Sequence, residues 1–381
     1  MRRPPSSISR SLTGLDMLRE GHPLLRQAIR FAMLPYCFVR GVNWRQCPKS
    51  PLAVAGDLLY SFFVLRTYPD HYGPCQLWRK PRSEWAQYFG SNYNPFQRGR
   101  LRRTVHPYFL ERALQDKQVA DGLCERMGIP VPRTLGILLP GEPSDSALDA
   151  IFGNTTSNRL IVKPVDGHAG LGIVMAHREP NSVRIQLRDR SIDARDFRPE
   201  SRCIVQEVLQ QNEDLNRIAS GSINTLRLLT MLDVNDRFLV IGASMRFGVG
   251  AAFVDNWSAG GVAVGVDHET GRLLPTGFDK LGNPYEAHPQ SGVRFGSLPL
   301  PGWNDALLLG ERVQRAFPFF RLLGMDLAFT PDGVVLIEIN NDADLLFQEQ
   351  TSGPLLANRR TWEAFRSYDL LYNRHQRELY R

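Results

Sequence analysis

Much that would assign this chain at sight is missing from it. Its five cysteines, Cys37, Cys47, Cys75, Cys124 and Cys203, form no CxxC or other short pairing. That excludes a recognisable zinc site or disulfide frame and reads as reduced thiols, the usage of a cytoplasmic protein. No apolar run is long enough to cross a bilayer: the most apolar early stretch, 52–65, is cut by Asp57 and reads as a buried helix. The basic start MRRPPSSISRS is followed by no continuous apolar segment, so a secretory signal is not expected. GK[ST] is absent, which excludes a Walker A loop. HRD and DFG are absent too, which excludes a typical protein kinase. There is no interleaved aromatic platform of the RNA-binding kind, no repeat and no low-complexity tract. Nucleic acid is therefore not the expected partner.

What is present is an ordinary globular composition, 43% hydrophobic and 22% charged, over 381 residues. That length suits two or three subdomains with a core large enough to need no disulfides. The net charge is +7, and arginines crowd the first 112 residues, among them Arg98, Arg100, Arg102 and Arg103. Such a field suits nucleic acid, anionic lipid or a phosphorylated substrate, and equally a plain solvated face.

The chain changes character near residue 105. Before it, apolar residues recur at helical spacing over 24–39, 52–65 and 84–89, which predicts a helical N-terminal region, 1–105. After it, the pattern predicts a helix over 108–127, stopped by Gly128 and Pro130. Strands are expected over 159–165, 172–176, 183–187, 203–209, 225–232, 238–247, 261–266, 325–329 and 334–339. Hairpin turns fit Asp267 to Gly271 and Thr330-Pro331-Asp332-Gly333. A long helix is expected from an Asn304 cap to Leu323, kinked at Pro318. Strands joined by hairpins with flanking helices make an α+β chain.

Four stretches carry chemistry, and their order matters more than any one of them. In the first, a strand delivers Lys163, and Gly167, Gly170 and Gly172 follow before the next strand. Glycine lets backbone N–H groups turn to an anion, and the lysine adds a point charge for phosphate; the plainer reading is a turn. In the second, Gln206-Glu207-Val208 ends an apolar strand, where edge backbone groups and Glu207 suit an adenine amino group, or a carboxylate paired to an arginine. The third holds Arg227, Arg246 and Asn256, suited to phosphate or carboxylate by forked hydrogen bonding, or to surface ion pairs. In the fourth, Asp326 opens one strand while Glu338 and Asn340 share a face of its hairpin partner. Three oxygen donors from one hairpin suit Mg²⁺, with Mn²⁺ an acceptable substitute.

With those residues in view, the chain resembles the ATP-grasp superfamily, and more closely the sugar-transfer-associated ATP-grasp group. The resemblance rests on Lys163-Pro164-Val165-Asp166-Gly167, Gln206-Glu207-Val208-Leu209, 221–227, and Met325-Asp326-Leu327-Ala328 through Ile337-Glu338-Ile339-Asn340-Asn341. Asp116-Lys117 followed by 128–132 also looks like the opening of such a domain. It covers roughly residues 106–360. It implies an ATP-grasp fold of two α+β subdomains clasping ATP, 106–210 and 211–365, with a tail at 366–381. It further implies that Lys117 and Lys163 contact ATP phosphates, Glu207 and Val208 form the adenine hinge, and Glu213 meets the ribose. Arg227, with Arg246 and Asn256 nearby, would meet the γ-phosphate or an acyl phosphate, while Asp326, Glu338 and Asn340 hold Mg²⁺.

The expected activity is ATP- and Mg-dependent ligation of a carboxylate to an amine through an acyl phosphate, in glycan, peptide or natural-product biosynthesis. A kinase acting on a hydroxyl, and a non-catalytic nucleotide-binding scaffold, are the alternatives. The expected acceptor is a small molecule, peptide or sugar, and the basic N-terminal region suits an acidic or phosphorylated one.

Overall fold

The computed structural model describes residues 23–381 except 92–93, 95–99, 102–103, 108–109, 168–169, 188–189, 251–256, 258–259 and 297. Asn256, Arg98, Arg102 and Arg103 lie outside the described residues.

Two antiparallel sheets carry the chain. The smaller holds β1 Thr134–Leu138, β2 Arg159–Pro164, β3 Val174–Glu179, β4 Ser182–Gln186, β5 Ser191–Asp193 and β6 Cys203–Glu207, in the order β1-β6-β2-β3-β4-β5. The larger holds β7 Thr225–Leu232, β8 Phe238–Phe247, β9 Val262–Val266, β10 Leu273–Phe278, β11 Pro284–Tyr285, β12 Leu322–Thr330 and β13 Gly333–Asn340, in the order β11-β10-β9-β8-β7-β12-β13. The expected hairpins are both present. Thr330 pairs with Gly333 across the β12–β13 turn, and the Asp267 side chain accepts from the Glu269 and Thr270 N–H groups to close β9 onto β10.

The helices named below are α1 Pro23–Ala32, α2 Pro51–Phe63, α3 Lys117–Arg126, α4 Asp145–Phe152, α5 Trp303–Ala316, α6 Leu345–Ser352 and α7 Arg359–Ser367. In α5, Trp303, Ala306, Leu309, Gly310 and Val313 fall on one buried stripe and join the main core behind the larger sheet. Gly310 allows the approach, since a Cβ there would stand 2.5 Å from the Leu228 side chain. On the opposite face lies α6, where a Cβ at Gly265 would stand 2.5 Å from the Thr351 carbonyl oxygen. The smaller sheet has its own core with α4, built from Leu148, Phe152, Leu160, Val162, Ala176 and Val205. Leu114, Ala120, Cys124 and Ile129 pack into the larger sheet's core, and Leu370 and Leu371 pack with Leu229 and Phe365.

Several expectations need correction. The helix expected over 304–323 ends at Ala316, because Pro318 has no N–H to continue it and biases the preceding residue out of the helical region. Leu322 and Leu323 then open β12, so Asp326 sits inside a strand and does not begin one. The helix cap is Gly302 at φ 66°, not Asn304. The helix expected over 108–127 breaks at Asp116, whose backbone turns extended and whose side chain caps α3 through the Val119 N–H. Residues 84–89 contribute to a tighter helical turn, Arg82–Gln87. Strands β1, β5, β10 and β11 were not expected, and β6 ends at Glu207, before Val208 and Leu209.

The helical N-terminal region docks on α6 through one buried carboxylate. Glu349 accepts the N–H groups of Phe89 at 2.6 Å, Gly90 at 2.9 Å and Leu355 at 3.2 Å. Burial nevertheless pushes its carboxyl up to about 7 from an ordinary 4.5, against the opposing pull of His71 and those donors. An acid whose folded pKa is raised keeps its proton longer folded than unfolded, so its contribution to stability is full below about 4.5 and lost as the pH rises through about 7. Denaturant unfolding between these values should show that fall, and Glu349→Gln should flatten it. An unchanged slope in the variant would remove Glu349 as its source.

Candidate active site

Two neighbouring strands inside the larger sheet carry one charged residue each in otherwise uncharged runs, Arg227 in β7 and Asp326 in β12. Strand register makes them direct neighbours, and it extends the row to Ser244 of β8 and Glu338 of β13. Arg227 grips Asp326 with a fork, Nε to one carboxylate oxygen and Nη2 to the other at 3.1 Å. Arg246, one row along, reaches the same carboxylate at 2.8 Å and also bonds Thr225 Oγ1 at 3.0 Å. Burial alone would raise the Asp326 carboxyl; the two guanidiniums outweigh it and hold it below the usual range. Arg227 and Arg246 are therefore placed together at the floor of the site, as expected, but around Asp326.

The lysines come from two sides, Lys163 from the smaller sheet and Lys117 from α3, which packs on the larger one. Lys163 near the end of β2 is buried, and burial lowers its pKa against the fields of Asp121 and Glu338. Lys117 at the start of α3 ties the glycine loop to the hairpin, donating to the Gly167 carbonyl and lying 3.1 Å from Glu338 Oε1. Gly170 and Gly172 stand at φ 70° and 74°, conformations that favour glycine, and turn the loop back toward Pro164. Lys163, Lys117, the glycine loop and Glu338 thus form one charged cluster bridging the two sheets.

Beside that cluster opens a cleft of ≈ 570 Å³ between the sheets. Its apolar wall is Ile161, Met175, Leu209, Ile223 and Ile337, and Lys163 and Thr225 line it where it meets the cluster. Glu207, Val208 and Glu213 also line it. Glu207 is already engaged with Thr155 Oγ1 at 3.3 Å and Arg133 at 3.5 Å. Gln206 does not line it. Its amide is committed to Asp121 at 2.8 Å, Thr134 Oγ1 at 3.1 Å and the Pro132 carbonyl at 3.3 Å.

Asp121 escaped the sequence reading. Burial pushes its carboxyl up to about 6, opposed by Lys163 and the Gln206 bond. The one signal for it was an acid beside buried Ala120 and three residues before buried Cys124, on the inward side of α3.

A divalent cation at the expected place would take its donors from this hairpin. Among the described residues no three His, Cys, Asp or Glu side chains gather for a metal, so a carboxamide has to complete any set. Asn340 has the required atom in its amide oxygen and stands two residues from Glu338 on the same strand face. Two carboxylates and an amide form an all-oxygen set, which is the chemistry of Mg²⁺ or Mn²⁺. The residues fit, with Asp326 shared between the cation and its two arginines.

Two α+β sheets that clasp a cleft, with lysines above and an acidic hairpin below, define an ATP-grasp protein. The chain belongs to the sugar-transfer associated ATP-grasp family, whose model matches residues 97–363. The chain spans about half the length of the first solved structures it matches. Among solved structures, the chain is similar to an ADP complex of N5-carboxyaminoimidazole ribonucleotide synthetase, at 12% identity and TM-score 0.38, covering 61% of this chain and 46% of that one. It is also similar to D-alanyl-alanine synthetase A from Vibrio cholerae, at 13% and 0.41, covering 68% and 66%. A third is D-cycloserine synthetase, at 14% and 0.41, covering 70% and 73%. No curated protein matches. No helix among the described residues is long and apolar enough to cross a membrane.

Asp326→Ala would leave two guanidiniums buried without their counter-charge. The expected cost is about 3–5 kcal/mol, measured by denaturant unfolding. A loss below about 1 kcal/mol would mean that the guanidiniums find water or another anion when Asp326 is gone.

Proposed function

We propose that this protein is an ATP- and Mg-dependent ligase that activates a carboxylate as an acyl phosphate and joins it to an amine. The observation that carries the reading is the pair Arg227 and Arg246 flanking Asp326 beyond the lysine end of the cleft.

In this reading adenine packs among Ile161, Met175 and Ile223, with the Glu207–Val208 backbone at its edge and Glu213 toward the ribose. Lys117, Lys163 and the loop through Gly167, Gly170 and Gly172 take the phosphates. Asp326, Glu338 and Asn340 would hold Mg²⁺, which when bound offsets charge on the phosphate oxygens. The carboxylate oxygen of the acceptor attacks the γ-phosphorus, the bond to the bridging oxygen breaks, and ADP leaves. The amine nitrogen then attacks the acyl carbon, phosphate leaves, and the nitrogen gives up a proton. Arg227 and Arg246 hold the anionic carboxylate and then the acyl phosphate, a preorganised charge that no solvent has to rearrange to supply.

The state of Asp326 favours a carboxylate acceptor over a hydroxyl. A hydroxyl nucleophile must lose a proton to a base, whereas a carboxylate arrives ionised. Asp326 is committed to two guanidiniums that hold its pKa down, which makes it a poor base. The acceptor itself is a small molecule, peptide or sugar that carries the acid, and an acidic or phosphorylated one suits the basic N-terminal region.

Mass spectrometry of products from panels of acids, amines and sugars with ATP and Mg²⁺ tests the reaction. Loss of water between two partners, with ADP and free phosphate released, is the expected result; a stable gain of phosphate on one acceptor would make the protein a kinase. Glu338→Ala should abolish Mg-dependent ADP release while the unfolding midpoint stays near wild type, and equal release would refute the metal assignment. Lys163→Ala should weaken ADP binding by about tenfold or more in calorimetry, the worth of one charge-assisted contact. Unchanged affinity would take Lys163 away from the phosphates.

A further inference from the structure

The N-terminal region has a surface that the nucleotide site does not use. On α2, Val54, Leu58 and Phe62 are buried, yet Leu52, Leu59 and Phe63 are exposed, with exposed Gly56 between them. The spacing of four, three and four residues makes an apolar stripe on the outer face of a helix whose inner face is already apolar. On α1, Leu24, Ala28 and Phe31 form a second exposed stripe. The two stripes meet where the Phe31 ring lies 5.6 Å from that of Phe63 and 5.9 Å from that of Phe62. Tyr36 and Val39 extend the surface. Nine of the 19 large exposed hydrophobic side chains among the described residues fall within 24–64, so this is a patch and not the usual scatter.

Its charge has one sign. Residues 1–66 contain ten Lys and Arg against three Asp and Glu, a surplus equal to the +7 of the whole chain. Within 23–66 the only acid is Asp57, which is buried against Lys49 at 2.6 Å and Arg82 at 2.7 Å. Arg40, Arg45 and Arg66 are exposed.

We propose that this face docks on an anionic lipid bilayer and lies in its surface. Leucine and phenylalanine enter the boundary of the acyl chains while arginines meet the headgroups, the division of labour of an interfacial helix. A second copy would set arginine against arginine, and nucleic acid would leave the apolar stripes uncovered. Spanning is excluded by length: the 13 residues of α2 reach about 20 Å at about 1.5 Å per residue, against about 30 Å of hydrocarbon. The docking is independent of the ligase chemistry proposed above.

Flotation of the full chain with phosphatidylcholine vesicles, with and without phosphatidylglycerol, tests this. The protein should float with the anionic vesicles and less so at high salt. Leu52→Ser with Phe63→Ser should cut the bound fraction about tenfold or more at an unchanged unfolding midpoint, since both side chains are exposed. Arg40→Glu with Arg45→Glu should abolish the preference for anionic lipid. Wild-type protein that stays unbound with anionic vesicles, whether as a monomer or as a self-associated species in light scattering, overturns the proposal. So does an apolar variant that floats like wild type.

Discussion

Two guanidiniums around one carboxylate, beyond the lysine end of a cleft between two sheets, are the constraint from which the rest of the site follows. Burying Asp326 beside Arg227 and Arg246 removes three charges from water and leaves one positive charge uncompensated. Such a group persists only where geometry is good and the excess charge has somewhere to go. Here the row continues to Glu338, which in turn holds Lys117, so the two adjacent carboxylates are flanked by cations on both sides. A polyanion entering from the lysine end meets donors already fixed in place.

That fixing comes largely from one helix. Gln348 on α6 is fully buried, accepts from Ser244 Oγ at 2.9 Å and donates to the Arg227 carbonyl at 3.0 Å, so it ties the helix to the row of charges. The next residue, Glu349, collects backbone N–H groups from the N-terminal region. Two adjacent side chains therefore join the nucleotide-binding half to a region outside the two sheets. The region they anchor keeps its own core of Tyr72, Trp78 and Trp85, and turns a different, apolar and basic surface outward.

Where the sequence was readable, it was so for local reasons. Strands β7 and β8 fall on the expected bounds because their runs are largely apolar and flanked by turn residues. The Thr330–Gly333 hairpin was legible from its turn chemistry alone. Strand β1 was missed because only Leu138 of its five residues is buried, so no period-two pattern shows. The 304–323 helix was overdrawn because apolar spacing continues past Pro318 although the backbone cannot. Gln206 was placed with the nucleotide because it adjoins Glu207, but alternation along β6 turns its amide to Asp121 and Thr134.

Sequence by itself determined which residues are chemically equipped: the lysines, the glycine loop, the lone charges in apolar strands and the Glu-x-Asn at the end of β13. These follow from local pattern, since side-chain chemistry and strand periodicity need no partner to be read. Only the tertiary structure decided who neutralises whom. That Asp326 belongs to two arginines, that Lys117 closes on Glu338, and that Asp121 stands behind Lys163 depend on strand order and helix placement. Those bring together residues as much as about 200 positions apart, a separation over which no local propensity acts.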